Sequence, residues 1–443
     1  MFHPPSRITW LAAVLLAACN TAPVIPPEDT REFELAARSL WSGGSFEVVV
    51  RHGEGEQATP RVTLDGTALV VTRVDDTTFS AALPVHTGTL PVRVEGEGIS
   101  PLNAHVTLHG YLGTVLGPQV EGAMVVLSHT PPRVLGGTRE GLLEVSLATA
   151  VGGRSWPTTF HDHSCGWGVL PGLATGTVIL RARISDTVCA DPVVARLGQE
   201  IAVETTLPQP PTWFAPVALV GPSTALAGGY DLVAQRGQCT GGFVACTWSS
   251  SVPLNHTLVG IEIAPSLGRA VTLAHGPALY DLATGDTVRS MPWIHLLSDA
   301  TAAAFDVAEG VVYVSSATPG ATFGGVHAVR TSDGALLVET PTDPEIGFRA
   351  VAVDAHRQLV LAAAWNVAAD RLELRVFRRG TLEPVAVLPA TGADVPPRLR
   401  YGIMRLVVDA PAGIAYLVSS LDFNWNPAMA LRPMVIARWS LVD

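Results

Sequence analysis

The 443-residue sequence contains no lysine; all 28 of its basic residues are arginine. That absence excludes Schiff-base lysines, Walker-A phosphate loops and Ser–Lys dyads, each of which needs an ε-amine. Charged residues are scarce at 15% and the formal net charge is −11. No basic face is therefore available for a phosphate backbone, so nucleic acid is not an expected partner. The GxSxG, HExxH and DxDxDG patterns are all missing, which removes the usual sequence signs of α/β-hydrolases, zinc proteases and calcium loops. No cofactor is implied. After the N-terminal segment no apolar run reaches the roughly 18 residues of a membrane-spanning helix.

What is present begins with an export pattern. Arg7 precedes the apolar stretch Ile8 to Leu16, which is too short to span a bilayer, and then comes Leu16-Ala17-Ala18-Cys19. Small residues at 17 and 18 suit a signal peptidase, and the cysteine directly after them resembles the bacterial lipobox. The resemblance implies cleavage after residue 18, lipidation of Cys19 and a membrane-anchored protein of the bacterial envelope, facing periplasm or exterior. Residues 19–31 are polar and proline-bearing and read as a tether. The four remaining cysteines, Cys165, Cys189, Cys239 and Cys246, favour disulfides in an exported chain. Three pairings are open; sequence-near pairing gives Cys165–Cys189 and Cys239–Cys246. The spacings do not resemble the paired CxxC of a zinc site.

Short runs of Val, Ile, Leu and Thr alternate with turn residues, among 42 Gly and 34 Pro. This is strand and turn chemistry, so the fold class is all-β; only Glu32 to Ser39 reads as helical. Residues 32–107 hold six or seven short strands, with Asp65-Gly66 as a hairpin turn. The run Val62-Thr63-Leu64-Asp65-Gly66-Thr67 … Phe79-Ser80-Ala81-Ala82-Leu83-Pro84 resembles immunoglobulin-like domains of the IPT/TIG type and implies a β-sandwich. Residues 108–207 carry Gly113-Thr114-Val115, Gly122-Ala123-Met124 and Leu170-Pro171-Gly172-Leu173. This pattern is similar to the carboxypeptidase regulatory-like domain and implies a second, transthyretin-like sandwich without peptidase activity. Three prolines in 208–211 read as a hinge.

Residues 212–443 repeat. Ile263, Val307, Val353 and Val408 recur at spacings of 44, 46 and 55, each followed by a turn and further strands. The pattern resembles YVTN and NHL β-propellers and implies a small propeller of four or five blades. A ring must pair its last strand to remove its edges, and Trp213 to Val220 is the segment expected beside Met434 to Trp439.

Candidate chemistry is sparse. His161 and His163 are the most ligand-like pair, though a polar loop explains them better and no metal site is expected. Asp75-Asp76 fits a hairpin turn better than acid/base work. Trp293, Phe423 and Trp425 lie in segments between or within repeats and are candidate ligand-binding aromatics, since rigid rings position such loops. Glu262, Asp306, Asp354 and Asp409 are the carboxylates near the inner strands. These observations favour a non-enzymatic binding or scaffold protein with an envelope protein or glycan as partner. The alternative is a propeller lyase or glycoside hydrolase acting on polysaccharide, which needs several of those acids to converge on one cavity.

Overall fold

Alternating buried and exposed residues set the strands of the N-terminal part, whereas runs buried on both faces set most of the rest. The computed structural model describes residues 31–52, 57–138, 141–157, 169–174, 176–180, 183–185, 188–189, 191–207, 217–227, 235–241, 243, 245–249, 258–274, 276–291, 299–317, 324–391, 403–420 and 433–442. Its contacts divide it into two units, one drawn from Met1–Ala36, Glu47–Ala81 and Pro91–Ala104, the other from Ala37–Phe46, Ala82–Leu90 and His105–Asp443.

The first unit is built on a single curled sheet. Its strand order is Thr67–Ala68, Arg61–Leu64, Gly88–Gly96, Ile99–His109, Glu32–Leu35, Ser45–Arg51, Thr78–Ala82, Val71–Arg73. The two edge strands are separated in sequence only by Leu69 and Val70, so the sheet must bend round on itself. Phe33, Leu35, Val48, Val50, Val62, Leu64, Phe79, Val92 and Val94 are its buried residues. Asp65 and Gly66 both take positive φ in the hairpin between Arg61–Leu64 and Thr67–Ala68. The expected immunoglobulin-like sandwich of two antiparallel sheets is not formed: one sheet contains the strands, and Glu32–Leu35 joins it in parallel at Ser100. Glu32–Leu35 is a strand rather than helix, because Phe33 and Leu35 alternate into the core and pair with Val50 and Val48. Pairing partners outweigh the helix propensity of so short a segment.

The second unit is a β-propeller. Among the described residues it contains seven four-stranded antiparallel sheets. Blade 1 comprises Glu121–His129, Pro132–Thr138, Gly141–Ser146 and Val151–Pro157; blade 2 comprises Leu170–Pro171, Thr177–Leu180, Val193–Leu197 and Ile201–Thr206. Blade 3 holds Val217–Gly221, Thr224–Ala227, Gln235–Thr240 and Ala245–Ser249; blade 4 holds Leu258–Ala264, Arg269–Ala274, Ala278–Asp281 and Thr287–Ser290. Blade 5 is Asp299–Asp306, Val311–Ala317, Gly325–Arg330 and Leu336–Glu339; blade 6 is Ile346–Asp354, Leu359–Asn366, Arg371–Arg378 and Pro384–Pro389. Blade 7 takes Ile403–Asp409, Ile414–Ser420 and Val435–Ser440, and borrows Tyr111–Leu116 as its outermost strand. First strands of neighbouring sheets meet between blades 4 and 5, 5 and 6, 6 and 7, and 7 and 1, so they form the inner wall.

Two expectations fall here. The region read as a transthyretin-like sandwich supplies blades 1 and 2 and the closing strand, so two sandwiches plus a four- or five-bladed ring is replaced by one ring of seven. Both sheets are simple meanders, and a meander of short strands has the same local sequence signature in either architecture. The ring is closed by Tyr111–Leu116, with Tyr111 opposite Trp439 and Leu116 opposite Val435, not by Trp213 to Val220. Val217–Gly221 is instead the fully buried first strand of blade 3. Val307 also lies past its strand and is 51% exposed; Phe305 holds the register expected of it, opposite Val312 as Ile263 is opposite Ala270.

Candidate functional site

A blade has two ends. At one, the first strand turns into the second and the third into the fourth. At the other, the second strand leads to the third, and the fourth crosses to the next blade.

At the first end, buried acids cap the turns between inner and second strands. Asp306, Asp354 and Asp409 are buried at the ends of three inner strands. Each carboxylate accepts backbone N–H groups of its own turn: Asp306 from Glu309 at 3.2 Å, Asp354 from His356 at 3.1 Å and Arg357 at 3.2 Å, Asp409 from Ala412 at 3.4 Å. Arginines then tie the blades together. Arg379 of blade 6 donates to Asp306 of blade 5 through Nη2 at 2.7 Å and through Nε. That hydrogen bond raises the Arg379 pKa above its ordinary range. Arg357 reaches the Ala410 carbonyl of blade 7 at 2.7 Å, Arg269 the Thr331 carbonyl of blade 5 at 2.8 Å, and Arg236 the Gly285 carbonyl of blade 4 at 2.9 Å. A guanidinium suits this task because its planar fork serves a carboxylate and a carbonyl at once. These acids cap turns and do not converge on a cavity.

Inside the ring an ion pair spans from blade 7 to blade 4. Arg405 Nη2 of blade 7 lies 3.3 Å from Glu262 Oε1 of blade 4, and Arg405 Nε donates to the Met124 carbonyl of blade 1 at 3.2 Å. Burial pushes the Glu262 carboxyl pKa up, and Arg405 pulls it back only in part. Pairing registers put Gly260, Ala302 and Ala350 where blade 7 has Arg405. These small residues on blades 4, 5 and 6 leave room for the long side chain.

The second end carries charge in blades 5 and 6. In blade 5, Ser316 Oγ lies 3.2 Å from His327 Nε2, and His327 Nδ1 lies 3.1 Å from Glu339 Oε2. The order is that of a nucleophile–base–acid relay. Ser316 is fully buried, however, and its Oγ accepts the Gly325 N–H at 3.2 Å. The relay therefore welds the strands of one blade and offers no accessible nucleophile. In blade 6, Glu373 is buried to 1% exposure between Arg371 and Arg375. Its Oε1 accepts from Arg371 Nε at 2.9 Å and Asn366 Nδ2 at 3.0 Å; its Oε2 accepts from Arg375 Nη2 at 3.1 Å and Nε at 3.3 Å.

Of the residues singled out from sequence, Cys19, His161, His163, Cys165, Trp293, Phe423 and Trp425 lie outside the described residues, as does the side chain of Cys189. Cys239 and Cys246 face each other across the third and fourth strands of blade 3 and are joined by a disulfide. Asp75 is a turn residue: its Oδ1 accepts the Thr77 and Thr78 N–H groups at 2.8 and 2.7 Å, and the Thr77 bond foremost holds its pKa below the usual carboxylate value. Among the described residues no three His, Cys, Asp or Glu side chains are grouped to hold a metal ion. Sequence reasoning missed Arg405, His327, Glu373, Arg371 and Arg375. The available signal was a charged residue interrupting an otherwise apolar strand.

No known family profile matches the sequence, and no curated protein is significantly similar to it. Solved structures that resemble it include the Swd1 β-propeller domain of Myceliophteria thermophila, 12% identical, with a TM-score of 0.46 over 75% of this chain and 100% of that one. A quinonprotein alcohol dehydrogenase-like protein of Bacteroides thetaiotaomicron is 11% identical, with a TM-score of 0.38 over 82% and 94%. The WD40 propeller domain of Doa1 is 11% identical, with a TM-score of 0.38 over 75% and 97%. The sheet order and ring closure, rather than these distant likenesses, define the fold.

Proposed function

We infer that the protein is a non-enzymatic binding scaffold of the bacterial envelope, tethered by lipid on Cys19, that engages its partner through the second end of the propeller. The carrying observation is the asymmetry of the two ends. At the first, inner carboxylates cap their own turns and arginines are spent on neighbouring backbones. At the second, Arg371 and Arg375 of blade 6 keep unfilled hydrogen-bonding capacity beside the buried Glu373. The envelope address is supported by Leu16-Ala17-Ala18-Cys19 and by the Cys239–Cys246 disulfide, since such bonds persist in oxidising compartments. A lyase or glycoside hydrolase would need paired acids facing one opening, and Asp306, Asp354 and Asp409 each serve a separate turn.

Two experiments test this. Metabolic labelling with a radioactive fatty acid should mark the native chain and not Cys19→Ser; equal labelling of both removes the anchor. Cross-linking from introduced photoreactive residues in native cells should capture one saturable partner from position 343 at the second end and none from position 308 at the first. Capture from position 308 alone refutes the assignment of the binding end.

A further inference from the structure

We propose that Arg371 and Arg375 form an oxyanion-binding site, oriented by Glu373, at the second end of blade 6. The inference rests on the binding-end reading above and gives that end its ligand chemistry: a carboxylate or phosphate group carried by the partner.

The arrangement holds more positive charge than its buried acid requires. One guanidinium neutralises Glu373; two leave a surplus of one unit. All four hydrogen bonds to Glu373 use Arg371 Nε, Arg375 Nε and Nη2, and Asn366 Nδ2. Arg371 Nη1 and Nη2 and Arg375 Nη1 have no partner among the described residues. The Arg371 side chain is 48% exposed and that of Arg375 21%. The remaining N–H groups of Arg371 form one edge of a fork, the geometry that takes two oxygens of a carboxylate or phosphate. Holding Nε on a buried acid fixes that edge in advance, so less side-chain freedom is lost on binding.

The fold does not need these charges. At the registers of Glu373 and Arg375, blade 5 has Gly325 and His327 and blade 7 has Val435 and Ala437. A buried Arg–Glu–Arg set is commonly no more stable than apolar side chains of similar volume, so stability alone gives no reason for it. The nearby acids Asp343 and Glu345 are partly or fully exposed. Asp343 is engaged with the Glu345 N–H at 3.0 Å. Solvated carboxylates of this kind screen a neighbouring guanidinium weakly.

The test uses the full chain in detergent at low salt, with fluorescein-labelled hexaglutamate as probe and hexaglutamine as its neutral control. A chain of net charge −11 repels a polyanion, so saturable binding must be local. Hexaglutamate should bind, and Arg371→Gln should weaken it by about tenfold or more, the usual worth of a charged hydrogen-bond pair. Arg371→Lys should recover only part, having charge without the fork. Arg330→Gln, at the opposite end of blade 5 and equally exposed, should change nothing. Inorganic phosphate that displaces the peptide marks a phosphate-bearing partner; phosphate without effect marks a carboxylate-bearing one. No binding of either probe, or equal weakening by Arg330→Gln, overturns the site. The binding-end reading would survive that result, because the cross-linking comparison tests it without reference to these arginines.

Discussion

The buried pair between blades 5 and 6 allows a quantitative test. Asp306 is 1% exposed and Arg379 7%. Two hydrogen bonds join them, and the Glu309 N–H fills a further acceptor site on Asp306. Arg379→Leu removes both charged bonds and strands a carboxylate between blades. Each such bond contributes about 1.5–3 kcal/mol, and breaking a buried pair from one side costs about 3–5 kcal/mol. The double variant Asp306→Asn, Arg379→Leu keeps the turn cap while removing the buried charge, so it should recover most of that loss. Urea unfolding followed by tryptophan fluorescence gives the free energies. Amide exchange in Val311–Ala317 and Arg371–Arg378 checks that the loss is local to the seam. A single-variant loss below about 1 kcal/mol, or a double variant as unstable as the single, would show that the pair is solvated and does not hold the seam.

Three further outcomes are expected. Burial raises the Glu262 pKa above the ordinary carboxyl value of 4.5, so its folded form binds protons more tightly than its unfolded form. Its contribution is then most favourable below that pH and is lost as pH rises toward the raised value. Glu262→Gln should therefore flatten the fall in unfolding midpoint between about pH 4 and 7, and an unchanged slope would place the carboxyl in water. Gly285 has φ of +74°, and a Cβ there would stand 2.2 Å from Thr224 Oγ1 of blade 3. Gly285→Ala should cost about 2 kcal/mol or more from left-handed strain and the clash; a calorimetric midpoint equal to wild type would contradict that packing. A fragment of residues 208–443 lacks blades 1 and 2 and the closing strand, so it should bind a hydrophobic dye and lack near-ultraviolet dichroism; a cooperative melt would mean that four or five blades suffice.

The sequence made the strands, the turns and the repeats of blades 4 to 7 legible, because Asp306, Asp354 and Asp409 end equivalent inner strands and are followed by similar turns. Blades 1 and 2 were not read as part of the same ring. Blade 1 turns at Thr130-Pro131 with no aspartate cap, and the inner strand of blade 2 is only Leu170–Pro171, so the repeat loses its marker. The closing strand was missed for a different reason: Tyr111–Leu116 is half-exposed along its length, so it lacks the apolar signature of the buried strand it was expected to be. At the site, the four acids were visible, yet spacing alone could not distinguish a turn cap from a catalytic carboxylate. Cross-blade contacts such as Arg405 with Glu262 depend on ring geometry that no local window contains.

The closure between Tyr111–Leu116 and Val435–Ser440 also sets a timetable. Gly110 and Ser440, hydrogen-bonded at 3.0 Å, stand 330 positions apart. Contacts of such separation form late, after the chain between them has lost much of its freedom. During synthesis six blades can be laid down, but the seventh waits for Val435–Ser440 to emerge, and until then Tyr111–Leu116 has no strand to pair with. Such a chain is slow to lock and exposed to wrong partners while it waits. The same delay leaves the unfinished ring easier to thread through a narrow pore than the closed one.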